Sequence, residues 1–169
     1  MYEDVEFRFC PLCAGNLDTR ILKEQEPPRL VCSRCDFVFY MDPKVVACAI
    51  VEIDSRIVLV KRDIEPQRGK WVLPGGYVDR GEEVAAAALR ETMEECGLQT
   101  SIKRLHGVYS YPGRAAVVVV YVLERLSGDL IAGDESSQAG LYLREEIPWK
   151  ELAFQSTVDA LTDYFNQER

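Results

Sequence analysis

The chain has 169 residues, of which 47% are hydrophobic and 28% are charged, and its formal net charge is −8. A chain of this length can bury one sizeable core and still carry a small additional module. The negative charge disfavours a broad electrostatic footprint for nucleic acid. An acidic protein also needs cations to hold anionic phosphates, and this requirement bears on the motifs below.

Two features of the sequence predict a cytoplasmic protein without a membrane segment. The longest apolar run, 115–123, is far shorter than the roughly 18 residues of a membrane-spanning helix. Residues 1–10 carry acidic groups where a secretory signal needs positive charge, and no apolar region follows them. In a reducing compartment, the six cysteines point to metal or thiol roles more than to disulfides.

The composition of the chain changes near residue 40, which predicts a small domain at 1–40 and a larger one at 41–169. The first is rich in turn residues and contains two Cys-x2-Cys pairs. Two such pairs can place four thiolates in a tetrahedron, which suits zinc. We predict a structural zinc ribbon, since four cysteines leave no open coordination position; a disulfide-linked lobe and an iron site are the alternatives. The predicted zinc ligands are Cys10, Cys13, Cys32 and Cys35.

The larger domain contains strand signals on both sides of one strong helix signal. Runs rich in β-branched residues predict strands, and clusters of Gly, Pro and Asp predict the turns between them. Together with two predicted helices, these strands indicate an α+β fold. Strands are predicted at 45–53, 56–61, 71–73, 102–123 (interrupted at 111–113) and 141–143, with a tight turn at 73–76 and loops over 128–140.

Two segments have helical composition or spacing. Residues 82–96 are rich in Ala, Leu, Glu and Met, and Gly97 follows where a left-handed C-cap is expected. Residues 154–165 alternate apolar and polar positions at helical spacing. Both Cys48 and Cys96 lie in apolar surroundings and are predicted to be core residues. The predicted apolar face of the first helix consists of Ala85, Leu89, Thr92 and Cys96.

Three glutamates share one face of the helix predicted at 82–96. Glu91, Glu94 and Glu95 stand at i, i+3 and i+4. Like charges at this spacing repel, and the C-terminal end of a helix disfavours anions. A divalent cation would reverse both penalties, and carboxylate oxygens are the ligands that magnesium prefers. The alternative is a solvated acidic face, in which Arg90 and Glu94 form an ordinary i, i+4 ion pair.

The sequence around these glutamates resembles the signature of the Nudix hydrolases. Gly76, five residues, Glu82, seven residues and then RETMEECGL at 90–98 fill every fixed position of that signature. The resemblance implies an α/β/α sandwich around a mixed sheet, with the signature forming a loop–helix–loop. It also implies a pyrophosphohydrolase that uses Mg²⁺ or Mn²⁺ to cleave a nucleoside diphosphate linked to another moiety.

The same resemblance implies roles for individual residues. Arg90 would orient the glutamates, and Glu82, with Gly76, would support the loop or an outer metal shell. Metal ions neutralise the diphosphate, polarise phosphorus and activate water, while a carboxylate removes the proton of that water. Family members take this base either from the helix or from a later loop, so Glu91 and Glu135 are both candidates. The implied metal ligands are Glu91, Glu94, Glu95 and the Gly75 carbonyl.

Similarity outside the signature bears on the substrate. A zinc ribbon before a Nudix domain resembles the NADH pyrophosphatases, but their Ser-Gln-Pro-Trp-Pro-Phe-Pro array is replaced here by GVYSYPG at 107–113. The chain is more similar to ribbon-bearing FAD and ADP-ribose pyrophosphatases, through 32–35, 42–44, 71–77 and 147–154. We therefore expect hydrolysis of ADP-ribose or FAD with release of AMP. The alternative substrates are NADH and NAD-capped RNA.

Several side chains are candidates for substrate contacts, although each residue type is also common on surfaces and in cores. Arg62 and Arg114 would contact phosphates, and Tyr77 would stack on a base. His106, the one histidine, receives no role. Further candidates are Arg68 for phosphates and Tyr109, Tyr111 and Phe154 for stacking.

The ribbon itself is the basis of an alternative function. In this interpretation it is a binding module on a Nudix-shaped scaffold. The ribbon carries little excess Lys or Arg, which argues against nucleic acid as its partner. We also expect a homodimer, in which the ribbon packs on a partner.

Overall fold

The structure is a computed structural model that describes residues 7–167 and divides the chain into two compact units, Met1–Pro43 and Lys44–Arg169. The first unit contains a three-stranded antiparallel sheet with β2 in the centre. Among the described residues, none of the helices is long and apolar enough to cross a membrane. The strands of the first unit are β1 (Leu17–Arg20), β2 (Arg29–Cys32) and β3 (Val38–Phe39).

The second unit is a mixed sheet with one helix on each face. Its strand order is β10-β5-β4-β9-β8, with β6 paired to β5 and β7 paired to β4. The pair β4–β9 is parallel, and the other pairs are antiparallel. The elements are β4 (Lys44–Ile53), β5 (Arg56–Arg62), β6 (Trp71–Val72), β7 (Gly75–Tyr77), α1 (Val84–Cys96), β8 (Gln99–Ser110), β9 (Ala116–Ser127), β10 (Ser136–Tyr142) and α2 (Gln155–Gln167).

Alternating side chains of the central strands form two separate apolar layers. On one face, Ile50 packs with Leu161 and other residues of α2. On the opposite face, Ala47 packs with Ala87 and Ala88 of α1. Successive side chains of a strand point to opposite faces, and alanine on both elements lets helix and sheet approach closely. The predicted α/β/α sandwich with a mixed sheet is therefore confirmed.

A gap between β4 and β5 determines where the candidate site forms. The two strands pair only near their hairpin turn, at Glu52↔Ile57 and Ile53↔Arg56. Beyond that point β7 pairs with β4, and β6 pairs with β5. The predicted tight turn at 73–76 is therefore wrong in part, because Gly75 and Gly76 belong to a strand. Their pairing with β4 holds these glycines beside α1.

The helix α1 differs in detail from its prediction. It begins at Val84 and not at residue 82, and Gly97 caps it with φ of 70° and an N–H donated to the Met93 carbonyl at 2.9 Å. The C-cap is thus confirmed. The predicted apolar face is confirmed for Thr92 and Cys96, which are buried, and for Leu89, which is partly buried and packs against the core, whereas Ala85 is only partly buried. The buried residues of α1 are Ala87, Ala88, Thr92 and Cys96.

The strand β10 also differs from its prediction. It starts at Ser136, five residues before the strand expected at 141–143. Residues 136–138 are polar and carry no strand signal of their own. Their extended conformation comes from antiparallel pairing with β5, where Ser136 lies opposite Arg62. Backbone hydrogen bonds to a neighbouring strand can thus override weak local propensity.

We predict that Leu161→Ala destabilises the protein by about 2–5 kcal/mol, because the substitution leaves a cavity under α2. Leu161 is fully buried. Leu126, which is 65% exposed, is the matched control, and Leu126→Ala should change the free energy of unfolding by less than about 0.5 kcal/mol. Urea denaturation measures both values. Equal losses for the two variants would contradict the described core.

Candidate active site and zinc site

The four predicted zinc ligands lie together in the first unit. Their Sγ atoms all lie within 4.8 Å of one another, and the distances from Cys35 to Cys13 and Cys10 are 3.3 and 3.8 Å. All four cysteines are free, so the disulfide alternative has no support. In a tetrahedral site with Zn–S bonds of about 2.3 Å, sulfur atoms lie about 3.8 Å apart. The donor set therefore fits structural zinc.

The local backbone explains this arrangement. The first cysteine of each pair accepts an N–H at 3.4 Å, Cys10 from Leu12 and Cys32 from Arg34. Pairing of β1 with β2 brings the two Cys-x2-Cys turns together, since Leu17 lies opposite Cys32. A Cβ at Gly15 would lie 2.8 Å from the Cβ of Arg34, so this position has room only for glycine.

We predict that the purified protein contains about one equivalent of zinc, and that replacing both Cys32 and Cys35 by Ser removes it. Two hydroxyls cannot substitute for two thiolates in a four-sulfur site. The control is Cys96→Ala, which alters a buried cysteine of α1 and should retain the metal. Inductively coupled plasma mass spectrometry measures the content. Full zinc retention in the double variant would exclude the four-cysteine site.

In the second unit, the glutamates of α1 contact the two glycines of β7. The carboxylate of Glu91 lies against the Cα of Gly76, where a Cβ would be 2.4 Å from Oε1. The N–H of Gly75 donates to Oε2 of Glu95 at 2.9 Å. Gly76 of β7 leaves space for the Glu91 carboxylate, and Gly75 donates its N–H to the Glu95 carboxylate. Both carboxylates are therefore held close to the sheet.

Arg90, in the middle of α1, joins the carboxylates of Glu82, Glu91 and Glu94. Its Nε and Nη2 donate to the two oxygens of Glu82 at 2.8 and 2.9 Å. Its Nη1 donates to Glu91 at 2.7 Å and to Glu94 at 3.1 Å. Nη2 also donates to the Tyr77 carbonyl at 3.1 Å. The planar guanidinium with its five N–H donors makes this multiple contact possible.

Burial leaves two of the glutamates with an unfavourable charge. It raises the pKa of Glu95 to about 7, although the hydrogen bond from Gly75 lowers it, and the charge of Glu91 raises it further. Burial likewise raises the pKa of Glu91, against the lowering effect of Arg90. A divalent cation would favour the charged forms of both groups. The oxygen donor set fits an ion such as Mg²⁺ or Mn²⁺.

The glutamates are nevertheless not gathered as closely as the cysteines. Over residues 7–167, the four cysteines form the single cluster in which three or more ligand atoms lie within 4.8 Å of one another. Arg90 draws Glu91 and Glu94 toward its guanidinium, whereas Glu95 is turned toward Gly75. For the three glutamates to share one ion, their side chains would therefore have to rotate away from these hydrogen-bond partners.

The loop that carries Glu135 lies at the C-terminal turn of α1. The N–H of Gly133 donates to the Glu95 carbonyl at 3.0 Å, and a Cβ at Gly133 would be 2.0 Å from the Glu94 carbonyl oxygen. The charge of Glu135 contributes to the raised pKa of both Glu91 and Glu95. The structure thus brings the loop acid near the helix acids, and Gly133 is the sequence signal for this close approach.

The predicted substrate residues lie in different environments. Arg62 donates Nε–H to the Pro66 carbonyl at 2.8 Å, and its guanidinium lies over the Phe154 ring. Tyr77 is 55% exposed beside the glycines of β7. Arg114 is exposed in the turn between β8 and β9. Their substrate contacts stay predictions.

Two of the residues predicted for stacking, together with His106, attach α2 to the edge strand β8 and to the turn that follows it. The hydroxyls of Tyr109 and Tyr111 donate to Asp163 and Asp159 at 3.0 and 2.6 Å, so these rings are held by the helix. His106, for which the sequence predicts no role, donates an Nε2–H to the Ala160 carbonyl at 2.9 Å. Cys48 and Cys96 are buried, as predicted.

Glu82 generates a prediction about stability. Its hydrogen bonds with Arg90 lower its pKa from 4.5 to about 2. The stabilisation is therefore present above pH 4.5 and is lost as the pH falls through about 2. We expect Glu82→Gln to lower the melting temperature at pH 7, and the difference from the wild type to shrink toward pH 2.

Circular dichroism melting curves over this pH range measure the effect. Glu83→Gln is the matched control, because the Glu83 side chain is exposed and forms no capping hydrogen bond. Its difference from the wild type should be small at every pH. A Glu82→Gln difference that does not depend on pH would contradict the assigned ion pair.

Comparisons with known proteins agree with this geometry. A family model described as the NUDIX domain matches residues 41–162, and one described as Nudix N-terminal matches residues 8–41. The ADP-ribose pyrophosphatase of Methanocaldococcus jannaschii is 40% identical over 119 residues, which cover 68% of this chain and 69% of that protein. The NAD-capped RNA hydrolase NudC of Salmonella heidelberg is 28% identical over 123 residues, 70% of this chain and 46% of that protein.

A solved structure extends the similarity to nearly the whole chain. The crystal structure of a NUDIX hydrolase from Nitrosomonas europaea has a TM-score of 0.89 and 35% sequence identity, covering 95% of this chain and 92% of that chain. The family models, the curated relative and this structure agree. The chain therefore belongs to the Nudix hydrolases, as a pyrophosphohydrolase that carries the family's N-terminal zinc ribbon domain.

Proposed function

We propose that this protein hydrolyses the diphosphate of ADP-ribose, with Mg²⁺ or Mn²⁺, to AMP and ribose 5-phosphate. The observation that carries the proposal is the set of α1 carboxylates held against Gly75 and Gly76, two of them with pKa values raised by burial. Such a set favours a divalent cation, which in turn binds phosphate oxygens. The similarity to an ADP-ribose pyrophosphatase supports the choice of substrate.

Each polar residue of the site would have a distinct role in metal binding. Glu91, Glu94 and Glu95 would hold the metal, with the Gly75 carbonyl as a further ligand. A bound ion neutralises the diphosphate and lowers the pKa of a water molecule. Arg90 would keep Glu91 and Glu94 oriented through the bonds described above. Glu82, bonded to the other edge of the same guanidinium, would keep Arg90 in place.

For the general base we propose Glu135 over Glu91. Glu91 is packed on Gly76 and accepts a hydrogen bond from Arg90 at 2.7 Å, which suits a metal ligand. Glu135 is exposed on a loop beside the helix acids, so it can take a proton from water and release it to solvent. Its charge acts on both Glu91 and Glu95, which supports its proximity to the metal ligands.

We predict that Glu135→Gln lowers kcat by about 10²–10⁴-fold and leaves Mn²⁺ affinity near the wild-type value. Glu91→Gln should weaken Mn²⁺ binding as well as turnover, because it removes a ligand. Asp134→Asn is the matched control, since Asp134 is the exposed neighbour of Glu135. Steady-state kinetics and electron paramagnetic resonance of Mn²⁺ supply the two readouts. Near-normal turnover of Glu135→Gln would assign the base to Glu91.

The choice of substrate is tested by product analysis with ADP-ribose, FAD, NADH, NAD-capped RNA and a nucleoside triphosphate, each with Mg²⁺ or Mn²⁺. We expect the highest kcat/KM for ADP-ribose, with FAD as the second candidate. The similarity to NudC makes NADH and NAD-capped RNA the alternative. A preference for either would favour that alternative, and no cleavage of any compound would favour the ribbon as a binding module.

Further expectations from the sequence accompany this proposal. Stacking of the exposed Tyr77 on a base and contact of Arg114 with phosphates stay predictions. So do the homodimer, the absence of nucleic acid as a partner of the ribbon, and the cytoplasmic location. Light scattering coupled to size-exclusion chromatography measures the oligomeric state directly.

A further inference from the structure

Arg62 is the last residue of β5, and its backbone bonds to the end of the loop that leads to β6. Its backbone N–H donates to the Lys70 carbonyl at 3.0 Å, and its carbonyl accepts from Gly69 at 2.8 Å. Across the ladder, Ser136 of β10 lies opposite Arg62. The backbone of this residue is therefore hydrogen-bonded to its own loop, and it lies beside the strand that follows Glu135.

The side chain of Arg62 is also engaged within the protein. Its Nε–H donates to the Pro66 carbonyl at 2.8 Å, inside the same loop. Its guanidinium carbon lies 5.3 Å from the centre of the Phe154 ring, in the residue that precedes α2. A hydrogen bond at one edge and an aromatic ring at one face together fix the orientation of a guanidinium.

This orientation places a fixed positive charge near the metal-binding carboxylates. The charge of Arg62 lowers the pKa of Glu95 and of Cys48, whereas burial raises both. Arg62 is therefore a cation in the second unit that acts on the half-buried Glu95 from outside the helix.

Hydrogen bonds connect the same position to Glu135. The N–H of Asp63, next to Arg62, donates to the Glu135 carbonyl at 2.9 Å. The N–H of Ser136 donates to the Gly133 carbonyl at 3.0 Å, and the N–H of Gly133 donates to the Glu95 carbonyl at 3.0 Å. These bonds link the end of β5, the Glu135 loop and the last turn of α1 in one continuous chain.

We propose that Arg62 is a positioning residue: it holds the Glu135 loop against the last turn of α1, which carries the proposed metal ligands Glu94 and Glu95, and it does not contact the phosphates of the substrate. The proposal rests on the proposed metal site of this hydrolase. It gives Arg62 a role that differs from the phosphate contact expected from the sequence. The two roles predict different results in the absence of substrate.

The test is Mn²⁺ binding to the substrate-free protein, followed by electron paramagnetic resonance. Loss of a residue that supports metal ligands typically weakens metal affinity by about 10–100-fold, and we expect this loss for Arg62→Gln. Arg62→Lys keeps the charge but loses the Nε–H bond and the planar face, so its affinity should be intermediate. Arg56→Gln is the control, because Arg56 is at the other end of β5 and pairs with Glu146.

The kinetic readout separates the two roles. A positioning role predicts a lower kcat with little change in KM for Arg62→Gln. Unchanged Mn²⁺ affinity with a raised KM, restored by Arg62→Lys, would identify a phosphate contact and overturn the proposal. Circular dichroism shows whether Arg62→Gln folds. If it does not, Phe154→Leu is the second variant, because it removes the ring that orients the guanidinium and should also weaken Mn²⁺ binding. Unchanged Mn²⁺ binding by Phe154→Leu would then overturn the proposal.

The failure of this inference and that of the proposed substrate can be distinguished. A wild-type protein that binds Mn²⁺ but does not cleave ADP-ribose would contradict the substrate and leave the Mn²⁺ comparison of the Arg62 variants intact. A wild-type protein that binds no Mn²⁺ would overturn both the metal site and the role of Arg62.

Discussion

The guanidinium of Arg90 binds Glu82 through one edge and Glu91 and Glu94 through another, and the arrangement of the helix acids depends on this contact. Without it, several negative charges would crowd along the second half of α1, where the helix dipole disfavours them. One cation cannot offset this charge fully, because burial still raises the pKa of Glu95 to about 7. A divalent cation, as proposed above, would supply the remaining compensation.

The mixed sheet determines where these charges lie. Because β4 and β5 separate beyond their hairpin, β7 enters the gap and brings two glycines against α1. Gly76 leaves room for a carboxylate, and Gly75 offers its N–H to a second one. The loop after β9 then packs on the end of the helix through Gly133. Glycine at Gly76 thus leaves room for the Glu91 carboxylate, and glycine at Gly133 lets the loop approach the backbone of α1 more closely than any other residue would allow.

Features with a short-range cause could be predicted from the sequence. Three such features depend only on residues a few positions apart in the sequence. They are the two cysteine pairs, the helix with its Gly97 cap, and the i, i+3, i+4 spacing of the glutamates. The strand at 136–138 and the structural role of His106 could not be predicted in this way. Each depends on a partner far along the chain, in β5 and in α2 respectively.

The sequence by itself therefore determined the family, the acids that share one helix face and the four cysteines of the zinc site. The reason is that residues at regular spacing along a helix, or within one Cys-x2-Cys turn, lie close together in space. Only the tertiary structure decided which atoms those side chains contact. Glu82 binds Arg90, and Arg62 lies between the Pro66 carbonyl and the Phe154 ring. The physical reason is that the pKa of a carboxylate and the orientation of a guanidinium depend on burial and on neighbours supplied by separate elements, which become adjacent only when the sheet and helices pack.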